Sequence, residues 1–420
     1  MQFLNPFTFT LQFRNMKIFY ATLFLLLTFQ ISFSSQTRKV LIIGIDGTRS
    51  DAFQQANTPH IDALLANSTY SYDSWHTGIT WSGPSWTTIL TGVQWNKHLV
   101  TSNSFTNHDF TTYPPFPTLA KQIYPNLNCS IVAEWNPLVD NITNAGWNHA
   151  VKVPDTGNWP TADSAIAELQ NPDIDLLFAY FDKVDVTGHT TTFSPSNPLY
   201  INAIQDVDSA VGRVLNALYA RPTYSSENWL ILVVTDHGGI NFGHGGNSNE
   251  ERHIWWMASG SVVAHQQINQ ADPGTYNCHL NNVYDSTCVD KTLMKESPTH
   301  PDIAVTALHH LIYDSGINPE TKPEWNLDGK SWLLAPNAVN NISGEENFSV
   351  YPNPSSTQIT LSGLQFAIEK QMPVELFSVE GKKVFSAIPI TESLKINTAD
   401  FSKGIYLLKV GNGVKKLVVD

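Results

Sequence analysis

Hydrophobic residues between about residues 39 and 334 follow two alternating patterns. Continuous aliphatic and β-branched runs at 39–45, 174–181 and 229–235 are typical of strands buried on both faces of a sheet. Between them are segments whose apolar residues recur at helical spacing. These are 58–67, 116–123, 161–169, 200–220 and 301–312. The alternation predicts an α/β/α sandwich with a mainly parallel central sheet, over 36–335.

The pattern changes near residue 335. Segment 336–346 contains three Asn together with a Pro, a Ser and a Gly, so we interpret it as a linker. From 347 to 420 the chain has short alternating runs separated by turns, which predict a small all-β sandwich. The predicted strands are 349–351, 358–361, 374–377, 383–385, 405–409 and 416–419.

The N-terminus has the pattern of a secretory signal peptide. Segment 18–33 is almost wholly apolar, follows Lys17 and ends in small residues. We expect residues 1–35 to be this signal, with the natural start at Met16. A retained membrane anchor is the alternative, but the run is shorter than the ~20 residues that a span needs. Nothing later in the sequence predicts a transmembrane segment.

Composition and charge narrow the class of protein. The 420 residues are 42% hydrophobic and 15% charged, as in folded proteins, and the length favours one large domain with a smaller one. The formal charge of −13 disfavours a scaffold for nucleic-acid polymers, which Lys and Arg hold. A small anionic substrate is compatible with this charge if divalent cations reverse the local field.

The three cysteines suggest at most one disulfide. Cys278 and Cys288 flank a short polar loop, and we expect them to form a disulfide in an exported chain. Cys129 lies in a strand-like run and is expected to be a buried free thiol. The sequence has no CxxC spacing, which disfavours a cysteine-based metal site.

Side chains that can bind cations or phosphate follow the predicted strands. Active sites of open α/β sheets lie at the carboxyl ends of strands, so we expect these side chains to converge. Asp236 and His237 follow the most hydrophobic run, and Asp185 and His189 are four residues apart. The candidate ligands are Asp46, Ser82, Asp185, His189, Asp236, His237 and His244.

Ser82 is the candidate nucleophile. Gly83 and Pro84 follow it, and a helix-like segment then extends to Thr91. The free N–H groups and the dipole of a helix N-terminus favour an anion there. A serine that only caps the helix is the alternative, and the surrounding ligands argue for catalysis.

The region 39–335 resembles the alkaline phosphatase superfamily, in its type I phosphodiesterase and nucleotide pyrophosphatase branch. The resemblance implies that Asp185, His189 and His244 hold one metal ion. It implies a second ion on Asp46, Ser82, Asp236 and His237. Asn103 falls where the family binds a phosphoryl oxygen, beyond a Thr91–Gly92 pair and His98. Zn²⁺ suits these mixed Asp and His ligands best, with Mn²⁺ as the alternative.

Some residues depart from the family pattern. The nucleophile is Ser82 where this branch usually has Thr, and Leu99 stands where the family has Gly. His244 follows Asp236 closely, where many relatives have a long insertion, so His253 is an alternative ligand. Trp86 replaces the Arg that follows the oxidisable residue of sulfatases, which disfavours sulfate ester hydrolysis.

These features together predict a secreted two-metal hydrolase of phosphodiester or pyrophosphate bonds, with nucleotide-type substrates and a phosphoserine intermediate on Ser82. Alkaline-phosphatase-like hydrolysis of phosphomonoesters is an alternative. A second alternative is a secreted metal-binding or adhesion protein without activity.

Residues 347–420 resemble the C-terminal sorting domain of the Bacteroidetes type IX secretion system. The matching segments are Val350–Pro354, Leu376–Lys382 and Gly404–Leu408. The resemblance implies that the type IX machinery is a partner and that the protein is secreted or cell-surface in a Gram-negative bacterium. Cleavage and retention of this domain are both compatible with the sequence.

Overall fold

The structure is a computed structural model that describes residues 36–143, 146–154, 157–269, 297–334, 348–378, 382–411 and 413–419. It divides into two compact units between Leu333 and Leu334. The predicted signal peptide, the linker and the Cys278–Cys288 pair lie outside the described residues. No helix in the described part of the chain is both long enough and apolar enough to span a bilayer.

The larger unit is organised around an eight-stranded sheet. Its strands are β1 Thr37–Ile45, β2 Ser68–Trp75, β3 Cys129–Ala133, β4 His149–Lys152, β5 Leu176–Phe181, β6 Glu227–Val234, β7 His253–Ser259 and β8 Gln266–Gln267. They lie in the order β4-β3-β5-β1-β6-β7-β2-β8. The pairs β4-β3, β3-β5, β5-β1, β1-β6 and β2-β8 are parallel, whereas β7 runs antiparallel to both β6 and β2.

Helices cover both faces of this sheet. They are α1 Ser50–Gln55, α2 Pro59–Asp62, α3 Ser82–Thr91, α4 Trp95–His98, α5 Phe116–Ile123, α6 Asn136–Ile142, α7 Asn158–Leu169, α8 Lys183–Thr191, α9 Pro198–Tyr219, α10 Asn249–Arg252 and α11 His300–Ile312. Val40 and Ile42 of β1 pack in one core with α3, α5 and α11. Leu41 and Ile43 pack in a second core with α1, α7 and α9. The α/β/α sandwich with a mainly parallel sheet is therefore confirmed.

Two elements differ from the sequence prediction. The helix expected over 58–67 is reduced to α2 and a 3-10 turn at Leu65–Asn67. The Asp208 carboxylate accepts hydrogen bonds from the His60 and Ile61 N–H groups, which fixes the start of α2. β2 was not predicted because its sequence is largely polar, and pairing with β7 buries its serines.

The smaller unit is antiparallel β structure, as predicted. Its elements are β9 Ser349–Tyr351, β10 Gln358–Ser362, α12 Gln365–Glu369, β11 Val374–Ser378, β12 Lys383–Ala387, β13 Ser393–Asn397, β14 Gly404–Val410 and β15 Gly413–Val419. They form sheets β13-β10-β9 and β12-β11-β14-β15, which share one core. The prediction missed β13 and the short α12.

Candidate active site

Three neighbouring parallel strands bring acidic residues to one edge of the sheet. β1 lies between β5 and β6, and the three strands end at the same edge. Asp46 directly follows β1, and Asp236 lies two residues beyond β6. Asp185 is in the first turn of α8, which begins two residues after β5. The predicted convergence at strand ends is thus a consequence of strand order.

Asp46 and Asp236 each use one carboxylate oxygen in hydrogen bonds. Asp46 Oδ2 accepts from Trp86 Nε1 at 2.9 Å and from the Tyr180 hydroxyl at 2.5 Å. Asp236 Oδ1 accepts from the N–H groups of Gly47 and of His237, at 3.0 and 2.9 Å. Among the described residues, the other two oxygens, Asp46 Oδ1 and Asp236 Oδ2, are buried and have no hydrogen-bond partner.

His237 faces both of these oxygens. Its Nε2 is 3.5 Å from Asp46 Oδ1, 3.2 Å from Asp236 Oδ2 and 3.3 Å from Ser82 Oγ. Its Nδ1 is 2.8 Å from the Gly238 carbonyl, which can only accept, so in the neutral ring Nδ1 carries the hydrogen. The lone pair of Nε2 then faces carboxylate oxygens, an arrangement that a shared cation would stabilise.

A second group forms around Asp185. His189 lies one helical turn after it on α8, and its Nε2 is 3.3 Å from Asp185 Oδ2. His244 Nε2 is 3.6 Å from Asp185 Oδ1 and 3.1 Å from His189 Nε2. The Nδ1 atoms of His189 and His244 each lie 2.8 Å from a carbonyl, that of Phe242 and that of Thr80 respectively. Both imidazoles therefore have the hydrogen-bond pattern of metal ligands.

The two groups are adjacent. Asp46, Asp236 and His237 could hold one ion, and Asp185, His237 and His244 are close enough to hold another. The rings of His237 and His244 are stacked with centroids 3.8 Å apart. The donor set and the unbonded buried oxygens therefore fit divalent cations at two neighbouring positions.

The electrostatics of the site favour the same conclusion. Burial, with the Asp185 charge in second place, raises the pKa of Asp46 to about 7. Burial and the neighbouring Asp46 raise the pKa of Asp236 well above its usual range. Burial lowers the pKa of His237, and it lowers that of His244 to about 4, so both of these rings are neutral, whereas the hydrogen bond to Asp185 raises the pKa of His189 to about 9. Crowded carboxylates beside neutral imidazoles are stabilised by bound cations.

Ser82 lies beside the first of these groups, and Asn103 is hydrogen-bonded to the residue that follows it. α3 begins at Ser82, and Pro84 is its third residue. The Gly83 N–H donates to Asn103 Oδ1 at 2.8 Å, which connects the loop of Asn103 to the helix start. A Cβ at position 83 would lie 2.8 Å from the Ser102 carbonyl, so only glycine permits this approach.

The departures from the family pattern have structural explanations. Leu99 adopts φ 61°, the left-handed conformation for which glycine is suited, so the turn forms despite the side chain. The alternative ligand His253 has its Nε2 3.1 Å from Asp73 Oδ1 and belongs to neither group of potential ligands. Gly188, between Asp185 and His189, lies within α8, where a Cβ would clash with the Phe193 ring at 2.3 Å. Cys129 is a buried free thiol, as expected.

Sequence reasoning did not identify the residues that orient Asp46. Tyr180 is the only polar-tipped residue in the otherwise apolar β5, and it is buried with its hydroxyl on Asp46. Trp86 stands where sulfatases have Arg, and its indole N–H donates the second hydrogen bond to Asp46. A tyrosine near the end of a buried strand is the signal that could have identified this role.

Gly47 is a position where substitution should be severe. It has φ 64°, and a Cβ there would lie 2.4 Å from Asp185 Oδ1. We expect Gly47→Ala to lower the free energy of unfolding by about 2–4 kcal/mol, because left-handed strain and overpacking add. Gly316→Ala is the matched control, since Gly316 has φ 72° with open space around it, and it should cost only about 1–2 kcal/mol. If urea denaturation showed the same loss of unfolding free energy for both variants, the clash at position 47 would be contradicted.

Two protein families match separate parts of this chain. The family described as type I phosphodiesterase / nucleotide pyrophosphatase matches residues 40–170 and 111–250. The family described as secretion system C-terminal sorting domain matches residues 349–420. Together these matches include most of β1, the strands β2 to β6, the segment around Ser82, all the candidate ligands and residues 349–420 of the smaller unit.

Individual relatives are distant. The chain is 27% identical over 263 residues to an uncharacterised pyrophosphatase/phosphodiesterase of Schizosaccharomyces pombe, covering 54% of this chain and 49% of that protein. It is 24% identical over 226 residues to human ectonucleotide pyrophosphatase/phosphodiesterase family member 7, covering 48% of this chain and 47% of that one. The chain thus spans about half the length of these curated relatives.

Solved structures share the fold. Murine ectonucleotide pyrophosphatase/phosphodiesterase 5 superposes with a TM-score of 0.50 at 17% identity, covering 66% of this chain and 95% of that one. A 2-O GAG sulfatase superposes with a TM-score of 0.50 at 13% identity, covering 86% and 85%. Such distant structures establish an alkaline phosphatase-like fold, and the family match is more specific. The chain belongs to the type I phosphodiesterase / nucleotide pyrophosphatase family.

Proposed function

We propose that this protein is a secreted hydrolase of phosphodiester or pyrophosphate bonds in nucleotide-type substrates, acting through a phosphoserine on Ser82. The observation that supports this most is the placement of Ser82 Oγ 3.3 Å from His237 Nε2, beside carboxylate oxygens that lack hydrogen bonds. A hydroxyl at a helix N-terminus and next to potential metal ligands is suited to nucleophilic attack on phosphorus.

The proposed cofactors are two divalent cations. Asp46, Asp236 and His237, with Ser82 Oγ, would hold one, and Asp185, His189 and His244 would hold the other. The mixture of carboxylate and imidazole ligands favours Zn²⁺, with Mn²⁺ as the alternative that metal analysis decides. When bound, such cations act as Lewis acids that stabilise an alkoxide and developing charge on phosphoryl oxygens.

The residues of the chain have separate parts in the reaction. Ser82 Oγ bonds to phosphorus as the bond from phosphorus to the leaving oxygen breaks, and water then cleaves the phosphoserine and restores the hydroxyl. The Gly83–Asn103 hydrogen bond fixes the Asn103 oxygen, so the Asn103 amide nitrogen is the group directed to donate to a phosphoryl oxygen. Tyr180 and Trp86 hold Asp46 in place.

A diester preference is supported by the surroundings of Ser82. Lys97 is the lysine or arginine nearest to Ser82 in sequence, and it is engaged elsewhere because it binds Asp328 at 2.6 Å. Of the tryptophans close to Ser82 in sequence, Trp75 and Trp86 are buried, whereas Trp81 is 36% exposed. Trp81 packs on Gly245, since a Cβ at position 245 would lie 1.8 Å from its Nε1. Its exposed indole is therefore available to an organic arm of the substrate.

The test compares two model substrates. We expect kcat/KM for bis-p-nitrophenyl phosphate to exceed that for p-nitrophenyl phosphate, because a diester carries one charge fewer and a second arm. We expect Trp81→Ala to raise KM for the diester about tenfold, because the variant loses one aromatic contact with the organic arm of the substrate. Trp159→Ala is the control, since Trp159 is 50% exposed and packs on Arg213.

A higher kcat/KM for the monoester would favour an alkaline-phosphatase-like activity. A stable protein that binds no metal and hydrolyses neither substrate would favour a binding or adhesion protein.

For localisation, we propose type IX export, with the smaller unit as the sorting domain and the larger unit as the catalytic domain. The match of residues 349–420 to a secretion-system sorting domain supports this. The boundaries expected from the sequence, 36–335, 336–346 and 347–420, belong to the same proposal. Expression in a type IX-competent host with and without residues 347–420 tests it, and export of the truncated chain would contradict it.

A further inference from the structure

Two buried, oppositely charged residues lie at the active-site edge of the sheet. β7 is antiparallel to β6, so β7 begins at the edge where β6 ends. Glu251 and Arg252, the last residues of α10 before β7, are therefore placed at this edge. They are 4% and 0% exposed. Charges buried to this extent need specific partners, and here the partners come from two loops.

Arg252 joins the loop that precedes Ser82 to the loop that carries His244. Its Nη1 donates to the carbonyls of His76 and Gly78, at 2.8 and 2.7 Å. Its Nε donates to Asn247 Oδ1 at 3.0 Å, and its Nη2 contacts the same oxygen. A planar guanidinium directs these donors in fixed directions, which a lysine ammonium cannot do.

Glu251 holds the backbone directly after His244. Its Oε1 accepts from the Gly246 N–H at 2.6 Å, and its Oε2 accepts from the Ser248 N–H at 2.9 Å and the Ser248 hydroxyl at 2.8 Å. A Cβ at position 246 would lie 2.8 Å from Oε2, so the contact is close. The carboxylate thereby fixes the backbone two to four residues after the imidazole.

The two loops also contact each other through Thr80. The Thr80 carbonyl lies 2.8 Å from His244 Nδ1, and the Thr80 hydroxyl donates to the Gly246 carbonyl at 2.8 Å. Thr80 is two residues before Ser82. A relative movement of the loops would therefore shift the His244 imidazole relative to the nucleophile.

We infer that Arg252 and Glu251 are positioning residues that set the spacing between Ser82 and His244. This inference rests on the proposed function of the same site. Neither residue belongs to the ligand groups, so each acts through the loops that it binds. Displacement of a reacting group by about 1 Å can lower a rate by about 10²-fold, so the loss of either should reduce kcat.

The experiment uses Arg252→Gln and Arg252→Lys in the full-length, metal-loaded protein. We expect both to lower kcat for bis-p-nitrophenyl phosphate by about tenfold or more, with KM changed less than about threefold. Lysine should not restore the rate, because it keeps the positive charge but lacks the planar set of N–H donors of the guanidinium. Arg221→Gln is the matched control. Arg221 is 7% exposed and binds Glu227 at the opposite edge of the sheet, so its loss should lower Tm without lowering kcat of the folded protein.

Two further variants test the positioning role if the Arg252 variants do not fold. Asn247→Ala removes only the acceptor on the His244 loop, and Glu251→Gln keeps the shape of the carboxylate while removing its charge. Both should lower kcat, and folded variants with wild-type kcat would overturn the inference. Absence of activity in the wild-type protein would instead contradict the proposed function. In that case chelator competition decides, because Asn247→Ala should weaken metal retention about tenfold if the loop positions His244.

Discussion

Ser82→Ala is expected to abolish turnover while leaving the metal content unchanged. Ser82 Oγ is the nucleophile in the proposed reaction, and removal of a nucleophile typically lowers kcat by at least about 10³-fold. The three carboxylates and three imidazoles of the two ligand groups do not depend on this hydroxyl for their positions. Hydrolysis of bis-p-nitrophenyl phosphate and elemental analysis of the purified variant measure the two quantities.

Ser102→Ala is the matched control for this substitution. Ser102 directly precedes Asn103, and its hydroxyl bonds to that of Ser104 at 2.7 Å, at the protein surface. Its loss should leave kcat within about twofold of wild type, since surface substitutions of this kind have small effects. Retention of activity in Ser82→Ala would refute the nucleophilic role, and acid-quench detection of a phosphoserine in the wild-type protein would support it independently.

His237→Ala is expected to have the largest effect on metal content. His237 Nε2 faces Asp46 and Asp236, and the same residue is close enough to Asp185 and His244 to contribute to the second group. Loss of the His237 imidazole should therefore weaken metal binding at both positions. We expect wild-type protein to retain about two metal equivalents after dialysis against a mild chelator, and His237→Ala to retain fewer than about one.

His189→Ala is expected to affect only one of the two proposed metal positions. Of the two ligand groups, His189 contacts the one around Asp185, so this variant should retain about one metal equivalent and lose activity. His253→Ala is the control and should retain about two equivalents, because His253 pairs with Asp73 and not with the ligands. Equal metal content in His237→Ala and wild-type protein would contradict the assignment, and loss of metal in His253→Ala would restore His253 as a ligand.

The fold class could be predicted because buried strands and amphipathic helices have distinct hydrophobic periods. The runs at 39–45, 174–181 and 229–235 correspond to β1, β5 and β6 within a few residues. β2 could not be predicted in this way. Its serines are buried against β7, and this pairing joins segments about 180 residues apart in the chain. Local sequence has no signal for such a pairing when the strand is polar.

The sequence by itself determined which side chains could carry the chemistry, because Asp, His and Ser after apolar runs belong at strand ends. Tertiary structure decided how those side chains are held. Tyr180 and Trp86 orient Asp46, Thr80 orients His244, and Arg252 joins two loops, all through contacts between residues distant in the chain. The physical reason is that a ligand's identity is local, whereas the direction of its lone pair depends on hydrogen bonds that only the packed fold supplies.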